Sequence, residues 1–246
     1  MWKDSSTPLL LYCSSPCSPC LRGQSTRSVV NPPMGRRALR KVDPTLDLSR
    51  HLKTWDDLPQ PWNHARLFER EAPLEIEVGS GKGLFLQSAA TGMPEHNFLG
   101  VEIAHKYARF AAARLARHAI PNAVVLDGDA LRLFAELLPD EALFAVHVYF
   151  PDPWWKKRHH KRRLMNERFV DDVSRTLGPG GRLHFWSDVQ DYFDATLALI
   201  AAESSLAGPI DVAERAAEHD LDYRTHFERR MRLGERPVYR AEFRKR

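Results

Sequence analysis

The stretch YFPDPWWKKRHHKRR, residues 149–163, sets one carboxylate between two prolines and follows it with two tryptophans and eight consecutive Lys, Arg or His residues. Pro151 and Pro153 each fix their own φ, so the backbone on both sides of Asp152 is restricted and its carboxylate is held in place. Aromatic rings can stack on a nucleobase, and basic side chains bind phosphates. The stretch therefore predicts a base-reading site beside an RNA-binding surface.

The tryptophans and the basic run of this stretch suggest separate roles. Trp154 and Trp155 can stack on a base or close a pocket, although a tryptophan is more often buried in a core. The run from Lys156 to Arg163 provides charge for a phosphate backbone, whereas the acid provides chemistry. The candidate backbone contacts are Lys157, Arg158, Lys161, Arg162 and Arg163.

A glycine-rich loop, EVGSGKG at residues 77–83, follows an apolar run and precedes a helical pattern. Glycines allow a ligand to approach the backbone closely, and the start of a helix offers free N–H groups. The loop is not a P-loop, because Lys82 is followed by Gly83 and not by Ser or Thr. By itself it is a weak signal, since purely structural turns share this composition.

Acidic residues accompany the loop and sharpen its interpretation. Glu77, two residues before Gly79, can accept from a cationic amino group, and the loop glycines Gly79 and Gly81 leave room for a ligand. Glu102, about 25 residues on, is placed to bind ribose hydroxyls, and Asp129 to reach an adenine edge. A nucleoside with positive charge and no phosphate fits, so we expect S-adenosylmethionine in preference to NAD. Singly, each acid could instead cap a helix or end a strand in solvent.

Short apolar runs alternate with helical patterns from about residue 72. The alternation predicts an α/β, Rossmann-like, doubly wound and mostly parallel sheet. Its predicted strands are 74–79, 97–103, 123–129, 143–150 and 182–188. Its predicted helices are 84–90, 105–118, 131–138, 167–177 and 191–203.

Two further features complete the predicted sheet. Pro179, Gly180 and Gly181 are expected to end the helix at 167–177 before the strand at 182–188, and residues 238–244 to add an antiparallel edge strand. In an open parallel sheet the ligand lies beyond the carboxyl ends of the strands. The segment around Asp152 should therefore share one crevice with the glycine loop.

Charge and hydropathy limit the classes of protein. The 36 Lys and Arg residues exceed the 32 Asp and Glu residues by a net charge of +4, and their clustering indicates a polyanionic partner. No stretch reaches the ~18 to 20 apolar residues of a membrane span, and the N-terminal LLLY is shorter than the about 7 apolar residues of a secretory signal. We therefore expect a cytoplasmic protein. The basic clusters are residues 36–41, 156–163, 224–236 and 240–246.

The N-terminal segment contains all three cysteines, Cys13, Cys17 and Cys20, in a Ser/Pro-rich context. Their C-x3-C-x2-C spacing is similar to the iron–sulfur motif of radical enzymes, an alternative that would give a brown protein. The odd number argues against a disulfide framework, and no repeated βα pattern follows to build a barrel. We expect residues 1–33 to be a disordered leader, with a natural start at Met34, and we predict no metal site.

The motifs LEIEVGSGKG, LGVEI, GDA, PDPW, KKRHHKRR, SD and THFERR occur in this order along the chain. In order and spacing the chain resembles the bacterial tRNA guanine-N7 methyltransferases, which are class I enzymes that use S-adenosylmethionine. The resemblance covers roughly residues 72–246, and PDPW with the basic run is its most specific part. It implies a methyltransferase domain at residues 72–246, preceded by an irregular arm at residues 34–71.

The resemblance also implies roles for individual residues, with Asp152 as the catalytic residue. One departure is His226, which stands where the family usually has Lys and would weaken a phosphate contact or make it pH-dependent. A second is Trp155, where many relatives have Pro, and no role is assigned to it. The acids that would line the S-adenosylmethionine site are Glu77, Glu102, Asp129 and Asp152. The residues that would contact the target nucleotide are Lys156, Asp188, Thr225, His226, Phe227 and Glu228.

The reaction implied by the resemblance is transfer of a methyl group to N7 of a guanosine in the variable loop of tRNA. We expect a monomer or homodimer with no obligate protein partner and no membrane. One alternative is a methyltransferase that uses the same cofactor on another RNA. Another is a non-catalytic RNA-binding module, against which the intact Glu77, Glu102 and Asp152 argue.

Overall fold

The structure is a computed structural model that describes residues 39–154, 157–214 and 216–246. The expectations for the leader, its cysteines, Met34, Trp155 and Lys156 lie outside these residues. The side chains of Lys157 and Lys161 are likewise outside the description.

Eight strands form one sheet at the centre of residues 39–246. They are β1 Leu52–Lys53, β2 Leu74–Val78, β3 Asn97–Glu102, β4 Ala123–Asp127, β5 Leu143–Tyr149, β6 Leu177–Ser187, β7 Ala207–Asp211 and β8 Tyr239–Arg244. Their order is β1-β4-β3-β2-β5-β6-β8-β7. The first six strands pair in parallel, and β8 runs antiparallel to both β6 and β7. This confirms the predicted doubly wound, mostly parallel sheet with an antiparallel edge.

Helices cover both faces of the sheet. They are α1 His64–Phe68, α2 Leu84–Gly92, α3 His105–Arg117, α4 Ala130–Glu136, α5 Glu167–Thr176, α6 Gln190–Glu203 and α7 His226–Leu233. Apolar residues of α2 and α3 pack in one core cluster, and those of α4, α5 and α6 pack in another. The two clusters use alternate residues of the same strands, as the period of a strand requires. Short 3-10 helices cover Trp55–Asp57, Lys157–Arg162 and Asp220–Asp222.

Two details of the predicted sheet are wrong. Pro179, Gly180 and Gly181 do not end the fifth helix, which stops at Thr176; they lie inside β6, where the register with β5 shifts. Strand β8 is not the edge, because β7 pairs with its outer side. The sequence of β7, AGPID, hid this strand because it is exposed and lacks an apolar alternation.

The expected irregular arm contains regular pieces in its described part. Strand β1 pairs in parallel with β4, and α1 follows it. The His51 ring contacts the carbonyl of Ala123 at 3.1 Å and is buried. Residues 51–53 therefore extend the sheet beyond β4.

Candidate active site at the switch point

The carboxyl edge of the sheet brings together the acids that the sequence singled out. Strand β2 pairs in parallel with β3 on one side and with β5 on the other. The order in which successive strands are added to the sheet therefore reverses between β2 and β5. Ligands of doubly wound sheets bind at such a switch point. Across the sheet from β4 to β6, the acids at or just beyond the strand ends are Asp129, Glu102, Glu77, Asp152 and Asp188.

The glycine loop turns sharply between β2 and α2. Gly79 and Gly83 have φ of 79° and 68°, in the left-handed region that favours glycine. The N–H of Gly79 donates to the carbonyl of Val101 at 2.8 Å, so the loop is held against β3. A methyl group added to Gly79 would meet no atom within 4 Å, whereas one added to Gly83 would lie 2.9 Å from the Ala111 Cβ. The loop is therefore open at Gly79 and packed at Gly83.

Glu102 fixes the conformation of this loop. Its Oε2 accepts from the N–H of Gly81 at 2.8 Å, and its Oε1 accepts from the N–H of Ala104 at 2.9 Å. Each carboxylate oxygen has a second lone pair, so the group can still accept from ribose hydroxyls. The neighbouring Ile103 is 74% exposed and offers an apolar surface beside this acid. Sequence reasoning missed Ile103, although an apolar residue directly after the strand-end acid was a readable signal.

Glu77 lies deepest among the acids at this edge, with 2% of its surface exposed. Among the described residues its Oε2 has no hydrogen-bond partner, and neither has the buried Oγ of Ser80. Burial, with a smaller effect of the Glu102 charge, raises the pKa of Glu77 well above its ordinary value. An ionised carboxylate here requires a cation from outside the protein, which fits the amino group of S-adenosylmethionine.

The segment that carries Asp152 has a strained backbone. Phe150 and Trp154 have φ of 53° and 45°, which is costly for residues with a side chain. Arg163 donates from Nε to the carbonyl of Pro153 at 2.8 Å. Asp152 itself is exposed at the edge. The carboxylate therefore stands on a segment fixed at both ends.

The basic run begins directly beside this segment. The Trp154 ring lies 5.3 Å from the guanidinium of Arg162 and 5.8 Å from the ring of His159. Trp154 thus packs on the basic run and not in a core. Arg158 and Arg162 are exposed, whereas the Arg163 guanidinium lies 4.8 Å from the Tyr192 ring. Of the described arginines in the run, Arg163 is the one tied to the fold.

The THFE motif starts α7 and reaches the Asp152 segment. Thr225 Oγ1 accepts from the N–H of Glu228 at 3.0 Å, which caps the helix. The carboxylate of Glu228 is buried and accepts from the N–H of Arg224 at 2.6 Å. The Phe227 ring lies 4.9 Å from that of Phe150. The motif is therefore beside the predicted catalytic segment, with Glu228 held by protein donors.

The two remaining acids of the predicted site, Asp129 and Asp188, differ in their surroundings. Asp129 caps α4, since its Oδ1 accepts from the N–H of Leu131 at 2.9 Å; this is the alternative that the sequence left open. Asp188 follows β6 and is half-buried, and burial raises its pKa. Asp127, missed by sequence reasoning, pairs with His105 at the end of β4.

The part of the chain that the structure describes contains neither a cluster of metal ligands nor a membrane-spanning helix. No group of three or more His, Cys, Asp or Glu side chains there is arranged to hold a metal ion. No helix there is long and apolar enough to cross a membrane.

The sheet order and the glycine loop define the class of protein as a Rossmann-like class I methyltransferase. Residues 71–241 match a family described as putative methyltransferase. Among solved structures, a 16S rRNA methyltransferase, KamB, superposes with a TM-score of 0.56 at 17% identity, over 73% of this chain and 91% of that one. At that identity the likeness shows the fold.

Curated relatives narrow the class to one family. A tRNA (guanine-N(7)-)-methyltransferase of Rhodopirellula baltica is 54% identical over 219 residues, which is 87% of this chain and 81% of that protein. The enzyme of that name from Bordetella pertussis is 38% identical over 177 residues, which is 72% of this chain and 69% of that protein. The chain belongs to the tRNA (guanine-N(7)-)-methyltransferase family. The resemblance read from the sequence motifs is thereby confirmed.

Proposed function

We propose that this protein transfers a methyl group from S-adenosylmethionine to N7 of a guanosine in the variable loop of tRNA, in the cytoplasm and as a monomer or homodimer. One observation carries the proposal. The Asp152 segment borders the glycine loop through the pairing of β2 with β5, and it is followed by a 3-10 helix at Lys157–Arg162 in which Arg158 and Arg162 are exposed. A cofactor pocket and an RNA-binding surface thus share one carboxylate.

The chain has suitable groups for S-adenosylmethionine at this edge. Glu77 would pair with the amino group, because its buried Oε2 has no partner among the described residues. Glu102 would accept from the ribose hydroxyls, and Ile103 would pack on the adenine. Asp129 would reach the adenine edge with the oxygen that does not cap α4. When bound, the cofactor supplies an electrophilic methyl group on a sulfonium.

Positioning is the main task left to the protein. N7 of guanine has an in-plane lone pair and no proton, so no base is needed to create the nucleophile. Alignment can contribute up to about 7–11 kcal/mol in favourable cases. Asp152 and Asp188 would accept from guanine N1–H and the exocyclic amine and stabilise the positive charge that develops on the ring. Both acids stand beyond adjacent strands, β5 and β6.

Contact with RNA would come from the basic run and the THFE motif. Arg158 and Arg162 are exposed for phosphates, and Trp154 presents an aromatic face beside them. Phe227 and Thr225 would contact the target nucleotide from the start of α7. Lys156, Lys157 and Lys161 would add phosphate contacts to the same surface.

The decisive experiment is radiolabelled methyl transfer to an unmodified tRNA transcript and to a twin whose variable-loop guanosine is replaced by adenosine. We expect label on the first alone, with strand scission at that base, since N7-methylguanosine permits scission. Label on both would retain the methyltransferase and reject the site. Label on neither, with S-adenosylmethionine shown to bind, would favour another RNA as substrate. If the cofactor does not bind either, the non-catalytic alternative holds.

A further inference from the structure

Three cations from three elements meet beside the glycine loop. Lys82 belongs to the loop, Arg114 to α3 and Arg230 to α7. Arg114 donates from Nε to the carbonyl of Lys82 at 2.9 Å. Arg230 lies one turn along α7 from His226, which contacts Arg114, and its guanidinium lies 5.1 Å from the Phe227 ring. Burial lowers the pKa of Lys82, and the charges of Arg230 and Arg114 lower it further. We call these three residues the loop cation cluster.

The guanidinium of Arg114 is held in a fixed orientation. Nη1 donates to Gln87 Oε1 at 2.8 Å, and Nη2 donates to His226 Nε2 at 2.9 Å. A guanidinium has only donors, so Nε2 of His226 is the acceptor in this contact. Arg114 therefore places a positive charge at the position where the family usually has the charge of a Lys.

The loop cation cluster has no anionic partner within the described part of the chain. None of Lys82, Arg114 and Arg230 has a carboxylate oxygen within 4.0 Å there. By contrast, the nearby Arg232 and Arg240 both pair with Glu214. Like charges brought together without a counter-ion repel each other, so an anion from outside would stabilise the cluster.

We propose that the loop cation cluster binds a backbone phosphate of the RNA substrate near the methylated nucleotide. The inference rests on the proposed function, because it assumes an RNA at this edge. His226 contacts Arg114, and the next residue, Phe227, packs on Phe150 two residues before Asp152. A nucleotide at Asp152 would thus have a neighbouring phosphate within reach of the cluster. Three cations suit a polyanion better than the single carboxylate of the cofactor.

The test uses charge-removing variants of the full chain. Arg230→Gln and Arg114→Gln would be compared with Arg66→Gln, a matched control that removes an exposed arginine of α1, outside the cluster. For each, the affinity for an unmodified tRNA transcript is measured over a range of salt concentrations. We expect each cluster variant to lower the slope of log affinity against log salt by about 1 and the control to leave it unchanged. Calorimetry with S-adenosylmethionine should show unchanged cofactor affinity.

Each alternative result overturns a defined part of the proposal. Unchanged slopes in Arg230→Gln and Arg114→Gln would reject the phosphate subsite, and so would an equal loss in Arg66→Gln, which indicates a diffuse basic face. Weaker cofactor binding with an unchanged slope would assign the anion to the cofactor carboxylate. The Arg230 side chain makes no hydrogen bond among the described residues and lies 5.1 Å from the Phe227 ring, so its variant removes the charge without breaking the bond between Arg114 and the loop. If wild-type protein methylates no tRNA but the slopes fall as expected, the subsite stands and the proposed reaction fails.

Discussion

At the scale of single residues, the raised pKa of Glu77 links the stability of the fold to pH. Its raised pKa means that the folded protein binds a proton more tightly than the unfolded chain, whose carboxyl titrates near the ordinary 4.5. The stability from this group is full below that value and is lost as pH rises through the folded pKa. We therefore expect Glu77→Gln to stabilise the unliganded protein at neutral pH and to weaken S-adenosylmethionine binding.

Thermal melts of both proteins from about pH 5 to about pH 8 would check this expectation. The melting temperature of Glu77→Gln should exceed that of wild type by an amount that grows with pH, at about 2–4 °C for each kcal/mol in a chain of this size. Saturating S-adenosylmethionine should reverse the order, since only the wild type pairs with its amino group. A difference that does not change with pH would contradict a raised pKa of Glu77.

Asp152 offers a second expectation at the same scale. Asp152→Asn keeps the shape of the side chain but removes the charge that would stabilise a cationic guanine. We expect kcat to fall by about 100-fold, as for loss of one preorganised electrostatic partner, while tRNA affinity changes little. Single-turnover methylation and filter binding would separate the two quantities. An equal loss in both would show that Asp152 serves binding alone.

The candidate site could be read from the sequence only in part. Glu77, Glu102 and Asp152 were found because each ends or follows a continuous apolar run, and parallel strands end at one edge of the sheet. The contact of Arg114 with His226 spans 112 residues and joins two helices, so no local pattern encodes it. For Asp129 the sequence allowed either a ligand contact or a helix cap, and in the structure its side chain caps α4.

At the scale of elements, the buried strands were predicted more accurately than the exposed ones. Strands β2 to β5 are covered on both faces, and their short, mostly apolar or β-branched runs gave bounds within two residues of the structure. Strand β7 and the two-residue β1 lie at the two edges and lack that pattern. The start of β6 was hidden by Pro179 and two glycines, which signal a turn but here form an irregular stretch of strand.

Alanine substitutions at two glycines of the same loop should affect different properties, stability at Gly83 and ligand affinity at Gly79. Alanine at either position pays about 1–2 kcal/mol for the left-handed conformation. Gly83→Ala also forces its methyl group against Ala111, so α2 and α3 must move apart, whereas Gly79→Ala meets open space. We expect the larger fall in melting temperature from Gly83→Ala and the larger loss of S-adenosylmethionine affinity from Gly79→Ala. The opposite ranking in melts and calorimetry would place the ligand away from Gly79.

At the scale of the whole molecule, the distribution of charge is more informative than the net charge. The net charge is only +4, yet the acids collect at the switch point, and the exposed Arg158 and Arg162 follow it in the 3-10 helix Lys157–Arg162. Because salt screens such a surface, its phosphate contacts appear in the salt dependence of RNA affinity. The arginines suited to test it are Arg158 and Arg162, since Arg163 supports Pro153 and contacts Tyr192.

We therefore expect Arg158→Gln with Arg162→Gln to lower the slope of log affinity against log salt by about 2, one for each lost phosphate contact. The melting temperature should stay constant because both side chains are exposed. The rate with saturating tRNA should fall less than in Arg163→Gln, because both side chains are exposed and the contact of Arg162 is with the Trp154 ring. Arg163→Gln provides the contrast: loss of its bond to Pro153 should lower kcat as well as the slope. If the double variant leaves the slope unchanged, the RNA crosses a different surface, and the acids at the switch point would then have to be reached from the α7 side.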